Sequence, residues 1–243
     1  MRPLLIVLSL FVSPVWAAEL KPQAFIPVFE LVGINLLCEQ SAPLAQHDLS
    51  DKQQAEVAKL LEPQQLCLDL ASGLAKTVDQ TQLQEAERLL SSDLAQSFSA
   101  AERSVGDNID GLAAYRQKLE AEPPRSSRVE LVQRLDTAAR TTDLATLLRY
   151  ETGKTRAYLM AKARGTAIDE TTLSERTKAQ EEQLRESSAD SVKSFMLYAY
   201  RQKPTDQLTQ YVGLYEQPAV AAILTGTVEL LPQLFAERRS KLQ

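Results

Sequence analysis

Apolar residues in this chain recur at steps of three and four, as Leu83, Ala86, Leu90 and Leu94 illustrate. An α-helix places residues three and four apart on one face, so this spacing predicts amphipathic helices. The good helix formers Ala, Leu, Gln, Glu and Arg are abundant, and only 8 of the 243 residues are glycine. The few Val and Ile residues do not gather into alternating runs. We therefore predict an all-α fold, an irregular bundle of many helices.

Capping patterns and prolines indicate where these helices begin and end. The segments Ser50–Gln53, Thr81–Gln84 and Ser127–Glu130 each fit a capping box, in which the first side chain and the fourth satisfy free backbone N–H groups. Pro27 and Pro218 suit the first turn of a helix, where a missing N–H costs nothing. The pattern predicts about nine helices, at 23–41, 51–77, 82–91, 93–117, 127–140, 142–164, 170–202, 206–216 and 218–238.

The order of elements predicts two related units, 18–122 and 123–243. Pro123-Pro124 cannot lie inside a helix and marks the boundary between them. Residues 83–98 resemble residues 208–223, since each segment contains a short helix, a break and the start of a longer helix. The second unit is expected to have the longer helices. The alternative is one irregular bundle with recurring patterns.

The first 17 residues have the composition of a secretory signal peptide. Arg2 is positive, the run from Leu4 to Val12 is apolar except for Ser9, and Val15-Trp16-Ala17 fits a cleavage site after Ala17. The apolar run is shorter than the ~20 residues that span a bilayer. We therefore expect an exported, periplasmic protein with no transmembrane anchor after cleavage. The alternative is an uncleaved anchor.

Two cysteines, Cys38 and Cys67, lie beyond the predicted signal peptide. An even number of cysteines in an exported chain favours a disulfide. We expect this bridge to link two antiparallel helices joined near residues 47–50. The alternative is a pair of buried thiols, because free cysteine packs as a small apolar residue.

The remaining chemistry of the sequence argues against several classes of function. A net charge of −5 without a basic cluster is unsuited to nucleic acid or anionic lipid. The single histidine, His47, lies in a polar connection, and there is no P-loop or G-x-S-x-G motif. One histidine and two separated cysteines do not make a zinc site. We expect no catalytic residue, no metal and no cofactor.

Aromatic residues give the one indication of a binding surface. Phe195, Tyr198, Tyr200, Tyr211 and Tyr215 cluster in one predicted helical hairpin. Tyrosine has an apolar ring and a polar tip, which suits the wall of a groove. If these side chains line a cavity between the two units, the ligand would be apolar or a peptide. The alternative is that they belong to the core.

The same region resembles the DUF2059 family. The segment Lys203–Leu208, Tyr211 and the segment Leu214–Val220 carry the likeness, over about 50 residues at the C-terminal end. The chain keeps the family's Leu, Tyr and Pro, but has Gln217 where the family usually has Ser and Val220 where it usually has Gly. The resemblance implies an exported helical bacterial protein and brings no catalytic residues.

These observations predict a non-catalytic binding or interaction protein of the cell envelope. Its partner would be another envelope protein, a peptide or an apolar ligand. One alternative is a carboxylate-based hydrolase or lyase that acts on an envelope polymer. The other is a carrier of an apolar ligand.

Overall fold

The structure, a computed structural model, describes residues 20–107 and 109–242, so the predicted signal peptide, 1–17, lies outside the described residues. Within them a 3-10 helix, Pro22–Phe25, precedes twelve α-helices, and there is no strand. The predicted all-α fold is confirmed. The helices are α1 (Ile26–Val32), α2 (Ile34–Gln46), α3 (Asp51–Leu60), α4 (Pro63–Leu74), α5 (Gln80–Leu90), α6 (Asp93–Gly106), α7 (Ile109–Ala121), α8 (Ser126–Ala139), α9 (Thr141–Ala163), α10 (Glu170–Ala199), α11 (Thr205–Tyr215) and α12 (Pro218–Ser240).

Three of the predicted helices are broken in the structure. The one at 23–41 divides at Gly33, whose left-handed φ of 78° separates α1 from α2, and the two segments are bent by 85°. The one at 51–77 divides into α3 and α4 because Pro63 opens a new helix at its first position. The one at 93–117 divides into α6 and α7. A single residue with a poor preference for the helix interior is enough to end one helix and begin the next.

One of the three predicted capping boxes is confirmed. At Ser50 the hydroxyl and backbone N–H both bond within the first turn of α3. The prediction at Thr81 is wrong, because α5 begins earlier and Asp79 caps it. The prediction at Ser127 is also wrong, because α8 begins at Ser126 without a side-chain cap.

Some helices of the two predicted units follow one another in the same order, but α3 and α7 have no counterpart in the second unit. The α1–α2 pair and the α8–α9 pair are each divided at a left-handed residue, Gly33 and Arg140. Helices α4 and α10 end at Leu74 and Ala199, which lie 125 residues apart, and both ends of α5 and α11 are offset by the same amount. That the two units are related stays a prediction.

Each unit contributes one helix that packs against the other unit. Helix α6 packs on α10 and α11, whereas α12 packs on α4 and α5. At the α4–α12 crossing, a Cβ on Gly226 would lie 2.6 Å from Leu74 Cδ2, and one on Gly73 would lie 2.8 Å from Leu230 Cδ1. The two glycines therefore let these helices approach closely. This exchange joins both units into one core.

Different bonds join the equivalent helices of the two units. In the first unit, Cys38 of α2 and Cys67 of α4 form a disulfide with Cα atoms 5.9 Å apart, which confirms the predicted bridge. Helix α3 lies between them in the chain, so the expected simple hairpin is wrong. In the second unit, Arg239 of α12 donates over 2.7 Å to Glu151 of α9 and over 2.7 Å to Glu170 of α10.

Among the described residues, α12 is long and apolar enough to cross a membrane, and the bent pair Pro22–Val32 and Ile34–Gln46 would be a second such span if counted as one. A packed core helix passes the same test of length and composition. In this structure α12 packs against α4, α5 and α9. Its last turns bury Arg238 and Arg239, which are 4% and 1% exposed.

Candidate functional site

The predicted aromatic hairpin converges on Phe98 of α6. Tyr211 of α11 stacks on Phe98 with ring centroids 4.2 Å apart, and Tyr200, which follows α10, lies 5.1 Å from it. Tyr215, one turn beyond Tyr211, meets Tyr211 edge to face at 5.2 Å. All three tyrosines are buried. They form an aromatic cluster where α6 of the first unit enters the second.

Glu102, one turn after Phe98 on α6, accepts hydrogen bonds from this cluster. Tyr200 and Tyr211 both donate to Glu102 Oε1, the latter over 3.2 Å. The hydroxyls of Tyr211 and Tyr215 also lie 3.2 Å apart. Both tyrosine bonds go to Oε1, and no described side chain donates to Oε2. The tyrosines therefore fix the carboxylate in one orientation and leave one oxygen unused.

Burial governs the ionisation of this cluster. Desolvation raises the pKa of Glu102, against the lowering effects of the two tyrosine hydrogen bonds and of Arg103. Burial also raises the pKa values of Tyr200 and Tyr211 well above the ordinary value of a tyrosine, and the Glu102 charge adds to this effect. The tyrosines therefore remain neutral donors, and Glu102 is the group of the cluster that titrates.

Glu102 and Tyr215 reach the surface in a cleft of about 970 Å³ between α6 and the corner of α1 and α2. The bend at Gly33 turns α2 to form one wall of this cleft, and α6 forms the other. Most of the lining surface is apolar, with side chains from both units. The large apolar residues that line it are Leu31, Val32, Leu36, Leu90, Phe195 and Tyr215.

The structure places the five predicted binding residues in three settings. Phe195 and Tyr215 line the cleft. Tyr200 and Tyr211, each 1% exposed, belong to the core, which was the alternative interpretation. Tyr198 is buried too, and its ring packs against a tyrosine of α7. Their role in binding stays a prediction.

The sequence reasoning missed Glu102. Helix α6 buries Ala95, Phe98 and Val105, which lie three and seven residues apart on one face. Glu102 falls on this same face, four residues after Phe98. A charged residue within an apolar stripe needs a partner or has a function. This interruption of the helical pattern was the available signal.

Two basic side chains secure the connection that carries Tyr200. Arg128 of α8 donates to the carbonyl oxygens of Tyr200 and, over 3.0 Å, of Lys203. Lys203 in turn donates to the Ser97 hydroxyl, and its ammonium lies 5.2 Å from the ring centre of Phe98. These contacts link α6, α8 and the α10–α11 connection. They therefore hold Tyr200 in position beside Glu102.

The charged groups of the cleft determine what chemistry it can perform. Glu30, Glu39 and Glu102 line it, with Arg103 as the one basic residue of the described lining. The described residues contain no group of three or more His, Cys, Asp or Glu side chains placed to bind a metal. His47 does not line the cleft, and its exposed side chain pairs with Asp48 after α2. The cleft is therefore suited to bind a hydrogen-bond donor or a cation.

No family model matches this chain, no curated protein is significantly similar to it, and no solved structure matches it significantly. The resemblance to the DUF2059 family therefore stays a prediction. Because a fold alone does not define a function, the function is inferred from the residues of the site.

Proposed function

We propose that this protein is a non-catalytic binding protein of the cell envelope, and that it holds an amphipathic small molecule or a peptide in the cleft between α6 and the α1–α2 corner. The cleft itself carries this proposal, because apolar walls from both units surround a carboxylate that two tyrosines hold in place. Ligand sites are typically concave and mostly apolar, with a few well-placed polar groups.

The size and the wall of the cleft support binding. Its volume of about 970 Å³ lies at the upper end of the ~300–1,000 Å³ typical of ligand pockets. Leu36, on the wall formed by α2, is 54% exposed, more than any other large apolar side chain in the described residues. Exposed apolar surface beside a concavity favours contact with a ligand.

The proposed compartment is supported by the disulfide and by the sequence. The Cys38–Cys67 bridge fits an oxidising compartment such as the periplasm. The predicted signal peptide would bring the chain there. The proposed relation to the DUF2059 family of exported proteins points to the same compartment.

A carboxylate-based hydrolase or lyase is the second candidate. Glu30, Glu39 and Glu102 line the same cleft, and the raised pKa of Glu102 suits a general acid. This candidate predicts release of soluble fragments from an isolated envelope polymer and loss of that activity in Glu102→Gln. Absence of fragments with the native protein would exclude it for the polymer tested.

Native mass spectrometry of the protein purified from its own cell envelope tests the binding function. We expect the chain to carry an additional mass that is released on denaturation. Ala100→Trp should abolish this mass, because Ala100 is exposed in the cleft and the larger ring fills it. Ala58→Trp, at an exposed alanine of α3 outside the cleft, is the matched control and should retain it.

Two results would contradict the proposal. One is a chain from the cell envelope that carries no additional mass. The other is a bound mass that persists in Ala100→Trp, since the ligand would then lie elsewhere. A bound mass identified as a pure hydrocarbon chain would favour a carrier of an apolar ligand in the same cleft.

A further inference from the structure

The cleft contains more negative than positive charge, and its innermost carboxylate has no counter-ion. Glu30, Glu39 and Glu102 line it against Arg103 alone. No ion pair with Glu102 forms among the described residues, whereas the buried Glu151 of the second unit pairs with Arg239 over 2.7 Å. A carboxylate removed from water is costly unless a cation or hydrogen bonds compensate it. At Glu102 two tyrosine hydroxyls do so, with a smaller contribution from Arg103 and no ion pair.

Those hydroxyls orient Glu102 without neutralising it. Tyr200 and Tyr211 both donate to Oε1, and Tyr215 supports Tyr211 through its own hydroxyl. The side chain is therefore held in position before any ligand arrives, so a ligand that binds Oε2 loses little of its affinity to ordering the site. A positively charged donor would gain most from this arrangement, because hydrogen bonds between charged groups are the strong ones.

The surfaces beside Glu102 fit the apolar body of such a ligand. Phe195 and Tyr215 present aromatic rings to the cleft, and Leu36 and Leu90 present aliphatic side chains. Aromatic faces attract cations as well as apolar groups. The combination of one fixed carboxylate, aromatic rings and aliphatic walls is complementary to an amphipathic cation.

We infer that the ligand of this cleft is an organic monocation, an ammonium or guanidinium group on an apolar body, with Glu102 as its counter-ion. This inference rests on the proposed binding function and adds the charge of the ligand to it. It excludes fatty acids and other anions as the principal ligand.

The inference predicts a pH dependence of binding. A cation needs the ionised form of Glu102, so its affinity falls as the pH is lowered through the pKa of this carboxyl, which burial raises. Neutral ligands do not follow this dependence. The charged or titratable groups that touch Glu102 or share its cleft are Arg103, Tyr200, Tyr211, Tyr215, Glu30 and Glu39.

Calorimetric titration of the full mature chain with three matched probes tests the inference. The probes are dodecylammonium, dodecanol and dodecanoate, each kept below the concentration at which it aggregates. We expect dodecylammonium to bind at least about tenfold more tightly than dodecanol, as a charge-assisted hydrogen bond implies, and dodecanoate to bind most weakly. Ala100→Trp should weaken all three, because it fills the cleft itself.

Glu102→Gln separates the role in binding from a role in folding. Glutamine keeps an oxygen for the tyrosine hydrogen bonds, so the variant should bind dodecanol as the native protein does and lose only the about tenfold preference for the ammonium. A purely structural role of Glu102 would change the binding of both probes alike. Glu181→Gln removes one exposed charge of α10 outside the cleft and should change neither.

The outcomes that overturn the inference differ from those that overturn the proposed function. Equal or tighter binding of dodecanol or dodecanoate, or no binding of any probe, contradicts the inferred charge. An endogenous mass lost in Ala100→Trp would still support the binding function in that case. Unchanged binding of the probes in Ala100→Trp would contradict both the inferred charge of the ligand and the proposed binding cleft.

Discussion

Helix α6 of the first unit and helix α12 of the second occupy equivalent places and border clefts of different size. Helix α12 packs along α9 of its own unit, whereas the cleft separates α6 from α1 and α2. The difference lies in length, because α6 ends at Gly106 while α12 continues to Ser240, beyond Leu231 at the equivalent position. The additional turns carry Phe235 and Arg239 into the core. The second unit thus keeps a smaller cleft, of about 620 Å³ between α8 and α12, against about 970 Å³ in the first.

One carboxylate of each unit, the buried Glu151 and the half-buried Glu102, shows a related difference in electrostatic terms. Burial raises the pKa of both Glu151 and Glu102. Glu151 is compensated by Arg239 at 2.7 Å and Lys154 at 3.7 Å, and Lys154 also reaches Glu170 at 2.7 Å. Glu102 has two tyrosine hydrogen bonds and the weaker influence of Arg103, but no ion pair. A carboxylate that is paired with cations is suited to stabilise the fold, and one without an ion pair beside a cleft is suited to bind.

The largest effect is expected where the second unit loses its buried cation. Arg239→Met leaves Glu151 buried next to Lys154 alone, and breaking a buried ion pair in this way costs about 3–5 kcal/mol. We expect urea-induced unfolding to show a loss of this size in the free energy of unfolding. The chain that remains folded should still bind its ligand with nearly the native affinity.

The matched control is Arg134→Met. Arg134 pairs with Glu216 over 2.8 Å, but both side chains are largely exposed, so solvent and salt screen the pair. This variant should unfold almost as the native protein does. If Arg239→Met destabilised the protein no more than this control, the buried network would not stabilise the second unit.

A somewhat smaller effect is expected for the disulfide that joins α2 to α4 in the first unit. The double variant Cys38→Ser, Cys67→Ser should lose about 3 kcal/mol, since a bridge of this span restricts the unfolded chain. Urea unfolding measures the loss. Thiol labelling of the native protein without reductant should find no free cysteine, and labelling at two sites would show that the bridge is absent in solution.

The smallest effect on stability is expected at the cleft. Because the pKa of Glu102 is raised in the folded state, its favourable contribution is fully present below its ordinary pKa of 4.5 and is lost as the pH rises through the raised value. Glu102→Gln should therefore gain stability relative to the native protein between pH 4.5 and 7, by less than about 1 kcal/mol. Urea unfolding at both pH values measures this difference. A relative loss over this range would mean that ionised Glu102 stabilises the fold.

Part of this comparison could be predicted from the sequence. Helix formers and apolar spacing predicted the all-α class, and the even number of cysteines after a predicted signal peptide predicted the Cys38–Cys67 bridge. The boundaries of α8 to α12 lie within a few residues of their predicted positions, because long periodic helices are well defined by their own patterns. The break at Gly33 was missed, since a single glycine is also tolerated inside a helix.

The candidate site was less accessible to sequence reasoning. Phe98 and Tyr211 meet only because α6 crosses into the second unit, and local patterns contain no information on such a crossing. Tyr200 and Tyr211 lie in the predicted region of the molecule, but they are buried instead of lining a groove. Their spacing in the sequence could not show this, because tyrosines of a core and of a groove have the same spacing. Only Glu102 could have been predicted as a site residue from the sequence, because it is a carboxylate on the buried face of an amphipathic helix.

The exchange of α6 and α12 also makes the two halves of the chain inseparable without unfolding. A protease that cuts the connection at Pro123-Pro124, between α7 and α8, breaks no packing between the halves. Each fragment would still hold a helix that the other needs to cover its apolar surface. The nicked protein would therefore migrate as one particle in a sizing column, and its fragments would separate only in denaturant.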